Sequence, residues 1–232
     1  EGAGVYSFSP RNDVTPFFSR RIGILDWKQI PINAGAKLSG QIGNYEIGFI
    51  QTQTRSIDNI KGENFSVARV KRPFLKQSYL GLVLTDRSAR DGDIDSLSLD
   101  QTLYGADLEL KTSEFLGDKN LQFQSFFVFH SAPMFNNDLS ISDLSTRGLR
   151  ITYPNDIIRT HVSYREFGDM YSPSLGFSRR NGFKRIQPSF SYNPRPQKFD
   201  FIRQIEIGIS YENMTDLNDR MLKKQTTLTP FN

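Results

Sequence analysis

Tyr104-Gly105-Ala106-Asp107-Leu108-Glu109-Leu110 carries the fold class in seven residues. Tyr104, Ala106, Leu108 and Leu110 form one alternating set, and Gly105, Asp107 and Glu109 form the other. Successive strand side chains point to opposite faces, whereas a helix would mix the two sets on one surface. The stretch therefore predicts a strand whose faces meet two different solvents.

The same period recurs on either side. In Ile157 to Glu166, Ile158, Thr160, Val162 and Tyr164 oppose Arg159, His161, Ser163 and Arg165. In Leu121 to His130, Leu121, Phe123, Phe127 and Phe129 oppose Gln122 and Gln124. Reading outward in this way predicts about 12 strands, at 36–42, 45–53, 64–71, 78–85, 102–111, 120–131, 147–153, 157–166, 174–180, 183–192, 199–212 and 221–229. Residues 1–35, with Pro10, Pro16 and Pro31, read as an irregular lead-in containing a first strand around Phe17 to Leu25. Residues 36–232 read as one run of strands with no linker.

Connection lengths add an asymmetry. Gly43-Asn44 is short, 54–63 long, 72–77 short and 86–101 long. Later, 132–146 is long, Pro154-Asn155-Asp156 is short, and a tight turn is expected at Asn181-Gly182. A meander trimmed at one end and elaborated at the other is the pattern of outer-membrane barrels. Pro188 and Arg203 fall inside expected strands and suit a bulge or an interfacial position.

Composition is compatible with that reading. The 232 residues include 19 Phe, 9 Tyr and 17 Gly, with 37% hydrophobic and 23% charged residues. No stretch approaches the roughly 18–20 uninterrupted apolar residues that a membrane helix needs, which excludes helical spans but not transmembrane strands, whose alternation averages to a modest hydropathy such as the -0.47 here. The absence of Cys excludes a disulfide scaffold and thiolate chemistry. The net charge of +4 is scattered, so nucleic acid is not an expected partner. Glu1 opens the chain without an initiator Met or a signal pattern, which implies a mature chain or one cut from something longer. The expected fold is all-β, an antiparallel up-and-down transmembrane β-barrel or a large part of one.

Several ordered motifs resemble a known family. Pro16-Phe17-Phe18-Ser19-Arg20-Arg21-Ile22-Gly23 and Gly35-Ala36-Lys37-Leu38-Ser39-Gly40 are followed by Asn64-Phe65-Ser66-Val67-Ala68-Arg69-Val70, Ser78-Tyr79-Leu80-Gly81 and Tyr104-Gly105-Ala106-Asp107. Phe167-Gly168-Asp169-Met170-Tyr171-Ser172-Pro173-Ser174-Leu175-Gly176-Phe177-Ser178-Arg179-Arg180 completes the series. Together they resemble the C-terminal outer-membrane barrel of a Bacteroidota family in which a signal peptide and a domain similar to family-9 carbohydrate-binding modules come first. The resemblance implies the cell outer membrane of a Gram-negative bacterium. It also implies a channel or partner-assisted transport protein for solutes such as saccharides, or a surface anchor for a carbohydrate-binding domain. Outer-membrane lipid, an oligosaccharide or small solute, and an outer-membrane lipoprotein are the expected partners. The family's barrel usually runs longer than this chain, and the end Thr229-Pro230-Phe231-Asn232 lacks the usual closing aromatic.

Within a barrel, Arg69, Asp107, Glu109, Arg150, Arg159, Arg165, Arg179 and Arg185 would line the lumen. They would pair with one another and with Glu206, or present a positive wall to anionic solutes. Ser19-Arg20-Arg21 reads as a strand, a plug-like insert or a basic stretch near head groups. His161 and Ser163 share a strand face, as a base and its nucleophile would. Arg159 and Arg165 on that face favour a plain polar strand, and catalysis is not the expected role. Asp91, Asp93 and Asp95 alternate as calcium ligands do, but Ser96 and Thr102 stand where an EF-hand needs Gly and Glu. No cofactor is expected, and calcium is the one metal that the pattern suggests. An outer-membrane hydrolase and a soluble β-rich binding module are the remaining alternatives.

Overall fold

The computed structural model describes residues 5–8, 14–25, 28–57, 61–89, 100–131, 139–196 and 203–231. Three two-residue strands, β1 (Val14–Thr15), β2 (Ile24–Leu25) and β3 (Lys28–Gln29), come first, with one 3-10 turn at Ser19–Arg21. The long strands are β4 (Ile32–Ile42), β5 (Tyr45–Thr54), β6 (Glu63–Phe74), β7 (Ser78–Ala89), β8 (Gln101–Phe115), β9 (Lys119–His130), β10 (Ser145–Pro154) and β11 (Ile158–Phe167). The short β12 (Phe177–Ser178) precedes β13 (Phe183–Tyr192), β14 (Ile207–Thr215) and β15 (Met221–Thr229).

Eleven of these form one antiparallel sheet in the order β15-β14-β13-β11-β10-β9-β8-β7-β6-β5-β4. Each long strand pairs with the next long strand in sequence, so the sheet is a pure meander. It is an open sheet and not a closed barrel, with β4 and β15 as its two edges. Both edge strands are solvent-exposed almost throughout. They also run in the same direction, as the first and eleventh strands of a meander must. Joining them directly would create a parallel pair within an otherwise antiparallel sheet.

Three expected strands are corrected. Residues 174–180 do not form a sheet strand. Only Phe177–Ser178 is extended, and it pairs with Val14–Thr15 outside the main sheet. Leu175 is fully buried, and a Cβ on Gly176 would collide with the Thr15 carbonyl oxygen. The alternation in this stretch thus comes from packing against the chain's own start. The tight turn expected at Asn181-Gly182 becomes the end of one long connection, 168–182. The expected 199–212 strand begins only at Ile207, and 197–202 lie outside the described residues. The sheet opens at Ile32, inside the expected lead-in. The first strand expected around Phe17 to Leu25 is instead the 3-10 turn Ser19–Arg21 followed by the two-residue β2, outside the main sheet. The other expected strands agree with the observed ones to within a few residues.

The short ends need special backbone geometry. Gly43 takes φ +56° at the first central position of its two-residue turn, where glycine has no Cβ to clash. Pro188 sits inside β13 opposite Val162. Its ladder to β14 breaks between Ile186 and Ser189, because proline offers no N–H.

The sheet is inverted relative to a soluble one. Its solvent-facing side is apolar and takes one exposed side chain from every strand: Leu38, Phe49, Val70, Leu82, Tyr104, Phe127, Leu149, Val162, Ile186, Ile209 and Leu228. Towards the long-loop end this belt gives way to polar pairs. The Thr102 hydroxyl donates to Asp86 at 2.7 Å and Gln53 to Asn64 at 3.1 Å, while Arg147 meets Glu166 at 2.7 Å. Within the belt, Ala68 and Ala106 leave an apolar trough of about 410 Å³ between Leu82, Leu84, Tyr104, Phe127 and Phe129.

The opposite, inner face has two zones. Towards the long loops it is largely apolar and packed, with the Arg87–Glu63 ion pair at 2.8 Å on its rim. Phe8, Val14, Val83, Leu103, Val128, Phe167, Tyr171, Phe183 and Met214 form one cluster there, and Phe65, Val67 and Leu175 form another. Phe167 and Phe183 stack with centroids 4.8 Å apart. Towards the short turns the inner face is polar.

Candidate functional site: a filled polar inner face

The site begins with an ion pair made possible by a missing side chain. Arg69 on β6 and Asp107 on β8 both point inward, on either side of β7. The residue of β7 between them is Gly81, opposite both Lys71 and Asp107 in the ladders. Across that gap Arg69 Nη2 reaches Asp107 Oδ1 at 2.7 Å, with side-chain exposures of 0% and 2%. A Cβ on Gly81 would lie 2.5 Å from Asp107 Oδ1 and 2.6 Å from Arg69 Nη2, so no other residue leaves the pair this room.

Neighbouring groups complete a polar belt. The Tyr79 hydroxyl donates to Asp107 Oδ2 at 3.1 Å. Glu109 pairs with Lys111 at 2.6 Å and accepts from Gln122 at 2.9 Å and Gln124 at 2.5 Å. Further along the sheet, Arg150 donates to Thr152 at 2.9 Å and Arg165 to Gln187 at 3.1 Å. Arg185 approaches Glu212 at 3.8 Å, and Lys223 meets the same carboxylate at 2.7 Å. Buried charges of this kind persist only when paired.

The start of the chain fills this face. Arg69 Nη2 donates to the Ser7 carbonyl at 3.1 Å, and Lys71 Nζ donates to the Ser7 hydroxyl at 2.8 Å. Phe8 lies under the Arg69 guanidinium, 5.2 Å from ring centroid to Cζ, and meets Phe126 edge-on at 6.3 Å. Inner-face glycines make space: a Cβ on Gly48 would sit 2.7 Å from Val5, and one on Gly105 would press on Val83 at 2.7 Å and Val128 at 3.1 Å and touch Phe8 at 3.4 Å. Burial raises the Tyr6 phenol above its usual range.

A second layer is tied to the connection 168–182. Besides the β1–β12 pairing, Phe18 N donates to the Leu175 carbonyl at 2.7 Å. Tyr171 is fully buried, and burial pushes its phenol well above its ordinary value. His130 anchors the layer. Its Nε2 accepts from Ser172 N at 3.0 Å, which leaves Nδ1 to carry the proton towards the Ser131 carbonyl at 2.9 Å.

The expected lumen residues divide as follows. Arg69, Asp107, Glu109, Arg150, Arg159, Arg165 and Arg185 share the inner face by register. Arg179 does not, because it lies exposed in the 168–182 connection. Glu206 precedes β14. His161 and Ser163 are both inward, but the fold does not bring them together. The Ser163 hydroxyl donates to the Gln187 carbonyl at 3.4 Å, whereas His161 Nδ1 lies 2.6 Å from Ser189 Oγ on the next strand. That pair opens on a polar pocket of about 180 Å³ with Gln187, Ser210, Glu212, Gln225 and Thr227. Ser19-Arg20-Arg21 forms the 3-10 turn. Asp91, Asp93 and Asp95, with the calcium expectation they carried, lie outside the described residues. Among the described residues, no three of His, Cys, Asp and Glu gather to hold a metal ion.

Set against family models, curated proteins and solved structures, the chain matches none.

Proposed function

We propose that this sheet is the wall of a transmembrane β-barrel in the outer membrane of a Gram-negative bacterium. Its inner face lines a passage for solutes, and residues 5–8 plug that passage. The observation that carries the reading is the inversion of the sheet. Every strand places an apolar side chain outward into solvent while Arg69 and Asp107 are buried inward. A monomeric soluble protein rarely exposes a contiguous apolar patch beyond roughly a few hundred Å², and a lipid-facing wall does so by necessity. The polar pairs bordering the belt suit the level of the head groups.

An antiparallel barrel built on this sheet needs an odd number of further strands between β15 and β4, because those edges run the same way. Saccharides as the solute, and an outer-membrane lipoprotein as partner, rest on the Bacteroidota resemblance alone. A plugged wall also suits the anchoring of a carbohydrate-binding domain. A hydrolase reading would have to move its nucleophile from Ser163 to Ser189, the serine hydrogen-bonded to His161.

The test is reconstitution of the detergent-purified full-length protein in liposomes, with a heat-modifiability gel alongside. The expected result is a heat-dependent mobility shift and a low conductance that rises when residues 1–8 are removed. A chain that is monodisperse without detergent and shows no shift overturns the proposal.

A further inference from the structure

We propose that Arg69 and Lys71 form a binding site for an oxyanion carried by a solute, a carboxylate or a phosphate, and that Ser7 occupies this site as an internal competitor. The inference rests on the plugged-passage reading and deepens it by naming the chemistry that releases the plug.

The two basic residues stand at i and i+2 of β6, on the same face and nearly or fully buried. What they grip on the N-terminal segment is two oxygen atoms of one residue, the Ser7 carbonyl at 3.1 Å and its hydroxyl at 2.8 Å. Two oxygens held by a guanidinium and an ammonium reproduce the contact these groups make with a carboxylate or phosphate. Both oxygens are neutral, so in each bond only the donor is charged. An arriving oxyanion charges the acceptor as well and therefore gains Coulomb attraction at the contact Ser7 gives up. Arg69 also has capacity in reserve, since its buried Nε and Nη1 have no hydrogen-bond partner.

The surrounding charges set the selectivity. Asp107 neutralises Arg69, and Lys111 neutralises Glu109. Glu46 lies directly opposite Lys71 in the β5–β6 ladder and opposes an anion there. The site is consequently close to neutral overall. It takes an oxyanion that replaces Ser7 and not one added beside it, which couples binding to release of the segment.

Because the chain has no cysteine, Val5→Cys supplies a single reporter. Its labelling rate by a charged maleimide is measured in detergent with inorganic phosphate, with chloride at matched ionic strength, and with maltose. The expected result is a saturable acceleration of about tenfold by phosphate, equivalent to one charge-assisted hydrogen bond, with no effect of chloride or maltose. Lys71→Met in the same background should label fast without phosphate and lose the response. Glu46→Gln should lower the phosphate concentration needed. Equal rates in phosphate and chloride overturn the anion site, and slow labelling in Lys71→Met overturns the Ser7 latch. The heat-modifiability gel on the same preparation reports the barrel reading independently, so the two failures are told apart.

Discussion

Replacing Asp107 with Ala leaves the Arg69 guanidinium buried against Gly81 and Phe8 without its carboxylate. At 0% side-chain exposure and 2.7 Å separation, the guanidinium has no water to turn to. Removing one partner of a buried pair costs about 3–5 kcal/mol, and the Tyr79 hydroxyl, 3.1 Å from Asp107, loses its acceptor at about 1–3 kcal/mol more. Asp107→Ala should therefore lose at least 3 kcal/mol, on the order of a hundredfold or more in the folding equilibrium. Arg69→Met/Asp107→Leu should recover much of that loss, because replacing both charges by apolar groups is often near neutral. Gly81→Ala, which inserts a Cβ between the two partners, should behave like the single substitution. Urea unfolding in detergent micelles followed by tryptophan and tyrosine fluorescence, run as a double-mutant cycle, measures all three. A loss below about 1 kcal/mol for Asp107→Ala, or additive effects of the two single changes, would refute the buried-pair account.

Three further outcomes follow from the same geometry. Leu82→Arg, in the middle of the outer belt, should destabilise the liposome-folded protein by about 2–4 kcal/mol, read by urea titration of the folded band. Gly105→Val should dislodge Phe8 by pressing on Val83 and the Phe8 ring, making the first 25 residues more sensitive to added protease while the sheet stays resistant. The Tyr171 phenol is raised by burial, and an unfolded tyrosine ionises near pH 10. Above that pH the unfolded state loses its phenol proton while the folded state keeps it, so the contribution to stability is complete below about pH 10 and falls as pH rises beyond it. Ultraviolet titration should find one phenol fewer ionising together with unfolding in Tyr171→Phe than in the wild type.

Much of the wall is legible in the sequence, because it depends only on alternation. Tyr104 to Leu110 and Ile158 to Arg165 declare both their strands and their faces, and β13 and β15 fall within the expected bounds. Residues 174–180 alternate as convincingly, yet their period reflects Leu175 and Gly176 packing on Thr15 and Phe18, a contact between segments some 160 positions apart that no local pattern encodes. The inward set containing Arg69 and Asp107 was readable, whereas their meeting was not. It depends on register across β7 and on Gly81 falling opposite Asp107. Ser189 carries no local signal for the same reason, being brought to His161 by the β11–β13 register. Ser7 carries no signal at all, since its role is made wholly by the side chains that grip it.

The inside-out sheet is tested most directly by single cysteines placed one at a time from position 80 to 85 on β7, labelled with an environment-sensitive fluorophore and read in liposomes containing nitroxide lipids. The account predicts a period of two. Positions 80, 82 and 84 should emit to the blue and be quenched by the lipid nitroxides, while 81, 83 and 85 should be shielded from them. Uniform quenching, or water exposure at position 82, would contradict it.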